Sequence, residues 1–155
     1  MKKRNYLILL IVILFVSCVT YDRPIAPEEI RTFEKIIEIS NTTKDELYIK
    51  ANEWFVNTFN SAESVIQFQD KEAGKIMGKY KFRIVVGHPV SLNAGMKSTI
   101  SVDVKDNRAK IFIQGLTSDF GADLTNDLEF VEEARKVWNK MALSLEKSLN
   151  KEVEW

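Results

Sequence analysis

The most regular pattern in the chain lies between Lys79 and Val86, where Tyr80, Phe82, Ile84 and Val86 alternate with Lys79, Lys81, Arg83 and Val85. Alternation with period 2 sends the two sets to opposite faces of an extended backbone, so this segment predicts a half-buried strand. Ile100, Val102 and Val104 alternate with Thr99, Ser101 and Asp103 in the same way. Asp106 and Asn107 predict a tight turn after them, and Ala109, Ile111 and Ile113 the returning strand. Ile66 and Phe68 are expected to share one face of a shorter strand. Asp70–Gly74 then makes a compact turn in which Gly74 takes the position needing positive φ. Gly87 to Gly95 reads as a loop. These four strands are expected to pair as a meander, and Phe33, Ile37 and Ile39 mark a further strand upstream of them.

Two segments switch to helical period. Thr43 and Glu46 spell a capping box, in which the hydroxyl accepts from the third helical amide while the glutamate reaches back to the cap. Behind it Leu47, Tyr48, Ala51, Trp54, Phe55, Thr58 and Phe59 fall on one arc; Trp54 sits at its edge and is expected to be partly exposed, and the helix is expected to end near Asn60 and Ser61. After a loop holding Gly115, Asp119, Gly121 and Asp123, Asn126 with Glu129 predicts the cap of a long helix from about Asp127 to Asn150. Its apolar arc is Phe130, Val131, Ala134, Val137, Trp138, Met141, Ala142, Leu145 and Leu149. The order β-α-β-β-β-β-α predicts an α+β domain over residues 32–150, with both helices on one face of an antiparallel sheet and a short tail at 151–155.

The first residues obey a different logic. Lys2, Lys3 and Arg4 precede an unbroken apolar run from Tyr6 to Val16, the charge and length of a secretory signal core. A spanning helix needs about 20 apolar residues, and this run stops short of that. Phe15-Val16-Ser17-Cys18 resembles the lipobox of bacterial lipoproteins, with Phe15 where leucine is usual. Small Ser17 admits a peptidase, and only a thiol becomes the thioether that carries diacylglycerol. We therefore expect residues 1–17 to be removed, Cys18 to be the lipidated N-terminus, and residues 18–31, with Pro24 and Pro27, to form a tether. That places the protein in the bacterial cell envelope with the bilayer as its first partner.

Charge narrows the partners further. The 155 residues carry 22 basic and 22 acidic groups; removing residues 1–17 takes Lys2, Lys3 and Arg4 with them and leaves 19 basic against 22 acidic groups. No excess of positive charge argues for nucleic acid, which an envelope location also disfavours. A single His and a single Cys exclude a Cys/His zinc site and an internal disulfide, and no cofactor is expected. His88 could serve as a general base in a small envelope hydrolase, the alternative to a binding module, although no Ser or Cys nucleophile sits in a recognised turn and a loop histidine before Pro89 is usually just solvated. Asp119, Asp123 and Asp127 recur every four residues and could collect a hard cation, or serve as turn formers and a helix start. Asp119-Phe120-Gly121 spells the kinase magnesium motif without the accompanying loops. Asp70-Lys71-Glu72 reads as a hairpin turn rather than an acid–base site, and Asn41-Thr42-Thr43 serves a helix start as well as a glycosylation sequon.

The run from Glu46 to Phe82, with LYIKANEWF and then Asp70, Gly74 and Gly78 in DKEAGKIMG, resembles a bacterial family of domains of unknown function with a TATA-binding-protein-like fold. The resemblance covers roughly Phe33 to Leu116. It implies a strongly curved antiparallel sheet and brings no activity and no catalytic residues. If Tyr80, Phe82 and Ile84 point inward, then Lys79, Lys81, Arg83, Lys110 and Phe112 share the outward face with Gln67, Thr99, Ser101 and Gln114, and Asp103 is the only acid expected at its centre. Such a surface either recognises a protein or anionic polymer of the envelope or is simply the solvated side of the sheet.

Overall fold

The computed structural model describes residues 23–59, 65–87 and 90–151. The signal segment and Cys18 lie outside the described residues, as does His88. A turn of 3-10 helix at Glu28–Ile30 leads into β1 (Phe33–Glu38), α1 (Lys44–Thr58), β2 (Val65–Asp70), β3 (Lys75–Val86), β4 (Leu92–Lys105), β5 (Arg108–Ser118) and α2 (Leu128–Leu149). The five strands form one antiparallel sheet in the order β1-β5-β4-β3-β2. The last four strands are the expected meander. The chain crosses from β1 at one edge to β2 at the other by way of α1, which lays that helix over the sheet.

Alternation builds the core. Ile76, Phe82, Ile84 and Val86 of β3, Met96, Ile100, Val102 and Val104 of β4, and Ala109, Ile111, Ile113 and Leu116 of β5 are buried beneath the helices. Leu47, Ala51 and Phe55 of α1, and Val131, Ala134, Trp138, Ala142 and Leu145 of α2, meet them from above. Trp54 is buried at 3% exposure, not partly exposed as its place on the arc implied. Its Nε1 donates to Ser144 Oγ of α2 at 3.1 Å and its ring stands edge-on to Phe55 at 5.1 Å, so the second helix covers what the first leaves open. No helix among the described residues is long and apolar enough to cross a membrane.

Turn and cap chemistry decides several boundaries. The Thr43–Glu46 capping box is present in both directions. At α2 the cap is Asp127, not Asn126: Asp127 is extended, its Oδ1 accepts from Phe130 N at 3.4 Å, and its other oxygen pairs with Arg23 at 2.9 Å. An ionised carboxylate there gains from the helix dipole as well as from the amide. Glu129 turns away from the cap and accepts from Gly87 N at 2.6 Å. Strand β4 begins at Leu92, inside the segment expected as loop, because Val86 pairs with Leu92 and the hairpin continues beyond Gly95. Gly115 lies within β5, also outside its expected loop. It takes φ 70° where the register with β4 shifts between Lys97 and Thr99, a bulge position that suits glycine.

The segment expected as a tether is bound to the domain from Pro24 onward. Leu128 N donates to Pro24 O at 3.1 Å, Ala26 N to Asn126 O at 2.8 Å, and the Arg31 guanidinium donates twice to Ala26 O. Ala26 is fully buried.

Candidate binding face

The helices leave one side of the sheet uncovered, and the strand register states which side chains meet there. Glu34, Phe112, Ser101, Met77 and Phe68 stand opposite one another in turn across β1, β5, β4, β3 and β2. Ser101 is buried although it lies on the open face, because the larger Phe112 and Met77 flank it. Phe68 is 46% exposed and belongs to this face, not to the side of Ile66. The register slips between Ile66 and Phe68, so the extra residue Gln67 reverses the alternation. The next row places Ile36, Lys110, Asp103, Lys75 and Asp70 side by side.

Around the aromatic row the charges divide into paired and free cations. Lys75 pairs with Asp103 at 3.3 Å and Lys110 with Glu34 at 3.8 Å. Lys81 stands directly across from Lys97 in the ladder, an arrangement of like charges that repels. Asp119 relieves it, with its Oδ1 3.4 Å from Lys81 Nζ. That carboxylate lies over Gly95, whose missing side chain makes the room, and Asp119 N donates to Gly95 O at 3.0 Å. Asp103 is therefore not the sole acid at the centre of the face. Lys79, Arg83 and Lys97 have no carboxylate within ion-pair distance among the described residues.

The five residues proposed from the pattern are thus on one face, and their roles differ. Lys79 and Arg83 are exposed cations, Lys81 and Lys110 are paired ones, and Phe112 is half-buried in the apolar row. Beyond them, a cleft of about 480 Å³ is lined by Ile36, Lys75, Asp103, Lys105, Arg108, Ala109 and Lys110. Four cations surround one acid in it. Met77, Phe68, Ile36, Lys75, Lys97 and Asp119 were not placed on this face by pattern. Met77 was legible from its parity with Lys79, whereas Phe68 needed the bulge and Asp119 a fold-back onto a distant glycine.

The other candidate constellations disperse. Asp119 covers Gly95, Asp123 Oδ1 accepts from Thr125 N at 2.9 Å, and Asp127 caps α2. Hydrogen bonds from the Thr125 side chain and backbone hold the Asp123 carboxyl below its ordinary range. No group of three metal-ligating side chains occurs among the described residues. Asp70 Oδ1 accepts from Ala73 N at 2.9 Å and Lys71 pairs with Asp45 at 3.1 Å, which makes that segment a turn stapled to α1. Thr42 N donates to Asn107 Oδ1 at 3.1 Å, joining the helix start to the β4–β5 turn.

Residues 33–118 match the model of the family described as "Domain of unknown function (DUF4468) with TBP-like fold". Among solved structures, the chain is similar to a DUF4468 family protein from Bacteroides ovatus, with 14% identity, a TM-score of 0.64, and 78% of this chain and 86% of that one covered. It is also similar to a TBP-like protein from Parabacteroides distasonis, with 17% identity, a TM-score of 0.59, and 78% and 94% of the two chains covered. No curated protein matches it.

Proposed function

This chain belongs to the DUF4468 family of TBP-like domains of unknown function, and from that premise we propose that it is a lipid-anchored envelope protein whose helix-free sheet face binds an acidic partner without catalysing a reaction. The observation that carries the reading is the face itself: a half-buried aromatic and methionine row with Lys79 in the next row and Lys97 and Arg83 two and three rows along the sheet, cations with no carboxylate partner among the described residues. Such groups neutralise and stack, which is the chemistry of binding an anionic polymer or an acidic protein surface. The face brings cations and apolar surface together; Ser101 is buried within it and Asp103 is paired with Lys75. The anchor is supported by the positive start, the apolar core and the Ser17-Cys18 pair.

The test uses the lipidated protein in detergent. Lys79→Glu/Arg83→Glu/Lys97→Glu should fold as wild type, while retention on an immobilised polyuronate and capture of acidic envelope proteins should be lost. Wild-type capture should weaken as salt approaches about 1 M, where the Debye length is about 3 Å. Equal retention of wild type and variant would refute this binding face. Intact mass should show residues 1–17 gone and acyl mass on Cys18; an unmodified thiol would refute the anchor.

A further inference from the structure

One end of the domain combines the entry of the chain with a concentration of exposed apolar side chains. Val19 to Asp22 are the only residues between Cys18 and Arg23, and Arg23 is already paired with Asp127 at 2.9 Å. At the extended rise of a polypeptide the whole connection reaches about 17 Å. A domain on so short a lead must present to the bilayer the end where residues 23–25 meet the start of α2.

That end is not polar. Phe120 is 99% exposed, Val90 81%, Ile25 73% and Leu92 60%. Hydrogen bonds tie their segments together: Ile25 bridges to Asp127, Gly87 N donates to Glu129 Oε1 in the first turn of α2, and Asp119 N donates to Gly95 O. Four carboxylates at this end are engaged, Asp127 with Arg23 and the helix amide, Glu129 with Gly87, Asp123 with Thr125, and Asp119 with Lys81. The turns at the opposite end, Lys71–Gly74 and Asp106–Asn107, carry no large apolar side chain. Elsewhere Ile36, Ile49, Val56, Phe68 and Leu143 are exposed singly on sheet and helix faces at 46–58%, each less than any of these four.

We propose that this end is a membrane-docking surface, in which Phe120, Leu92, Val90 and Ile25 insert into the headgroup–acyl boundary beside the lipid of Cys18. The inference rests on the anchor proposed above and adds an orientation to it. Aromatic and aliphatic tips suit that boundary; the diacylglycerol on Cys18 supplies stable attachment, and the tips fix the orientation of the domain upon it. The cations Arg83 and Lys97, free among the described residues, stand on the adjoining sheet face, in the rows of Gly95 and Thr117, and docking through the four apolar side chains does not depend on anionic lipid. It also points the sheet sideways and leaves the cationic face open to the envelope.

The experiment places an environment-sensitive fluorophore on Phe120→Cys, Leu92→Cys or Lys71→Cys of the full acylated protein, reconstituted into phosphatidylcholine vesicles with headgroup-proximal spin-labelled lipid. Labels at 120 and 92 should be quenched, the label at 71 should not, and quenching should persist at about 1 M salt, where charge attraction is screened. Acylated Cys18 with labels at 120 and 92 no more quenched than the label at 71 overturns the docking surface alone. Intact mass showing a free Cys18 thiol overturns the anchor and the orientation derived from it. Quenching that salt abolishes also overturns the proposal, because it assigns attachment to charge.

Discussion

Asp119 and Gly95 share one space: a β-carbon at position 95 would overlap the Asp119 carboxylate, which lies over the backbone of β4 and faces Lys81. The end of β5 therefore closes onto β4 through the absence of a side chain, and the same contact tempers the Lys81–Lys97 repulsion on the open face.

Gly95→Ala should displace that carboxylate and destabilise the domain by about 1–3 kcal/mol, the usual cost of adding a methyl group where none fits. Asp119→Ala removes the obstacle, so the double variant should be more stable than the sum of the single effects. Urea unfolding of the four proteins checks this; simple additivity would show that the two residues do not compete.

Lys79 and Lys81 look equivalent in the sequence and should behave differently on reversal. Lys79 is exposed, so Lys79→Glu should change stability by less than about 0.5 kcal/mol. Lys81→Glu would replace the 3.4 Å pair with Asp119 by repulsion from that carboxylate, offset in part by attraction to Lys97 across the ladder, and should still cost more. Pairing with Asp119→Asn should recover the difference. Equal melting temperatures for the two reversals would remove the Lys81–Asp119 pair from the account.

Much of this architecture was legible because alternation and helical period are local. Tyr80, Phe82 and Ile84 announce their face two residues at a time, and Thr43 with Glu46 spells its cap within four residues. What escaped depends on distant partners or on single insertions. Phe68 changes face because Gln67 is an extra residue in β2, a slip that the types of residue around it do not mark. Trp54 is buried by a helix whose contact lies 90 residues away, and Asp119 finds Gly95 only after β5 has paired. On the open face Lys79, Lys81, Arg83 and Lys110 were legible by parity, whereas Lys75 and Lys97 were not singled out. The difference between free and paired cations was not legible, because Asp119 reaches the face from beyond the strand end.

The capping box makes stability depend on acid in a defined direction. Hydrogen bonds to Glu46 from the Thr43 backbone and hydroxyl hold its carboxyl below the ordinary 4.5, so the folded form binds this proton less readily than the unfolded chain. The stabilisation is present above about 4.5 and is lost as pH falls through the lowered value. Glu46→Gln keeps a side-chain acceptor for the Thr43 amide and removes the titration. Its melting temperature should therefore lie below wild type at neutral pH and converge on it as the pH falls through the lowered value. A constant gap across that range would show that the charge on Glu46 contributes nothing to the cap.

Trp54 and Trp138 offer the sharpest test of how α2 is seated, because each indole donates to a serine hydroxyl in a different environment. Trp138 is 1% exposed and its Nε1 meets Ser98 Oγ at 3.2 Å, with Ser98 itself buried on the core side of β4. Trp54 Nε1 meets Ser144 Oγ at 3.1 Å, but Ser144 is exposed to water. Truncation of either ring to alanine should cost about 3–5 kcal/mol. Phenylalanine separates them. Trp138→Phe leaves the Ser98 hydroxyl buried without its donor, a loss of about 1–3 kcal/mol beyond the smaller ring, whereas after Trp54→Phe the Ser144 hydroxyl turns to solvent. Ser98→Ala in the Trp138→Phe background should therefore restore part of the loss, and Ser144→Ala in the Trp54→Phe background should restore none. Urea denaturation with unchanged m-values reads both cycles, and rescue by Ser144→Ala equal to that by Ser98→Ala would contradict the burial assigned to the two serines.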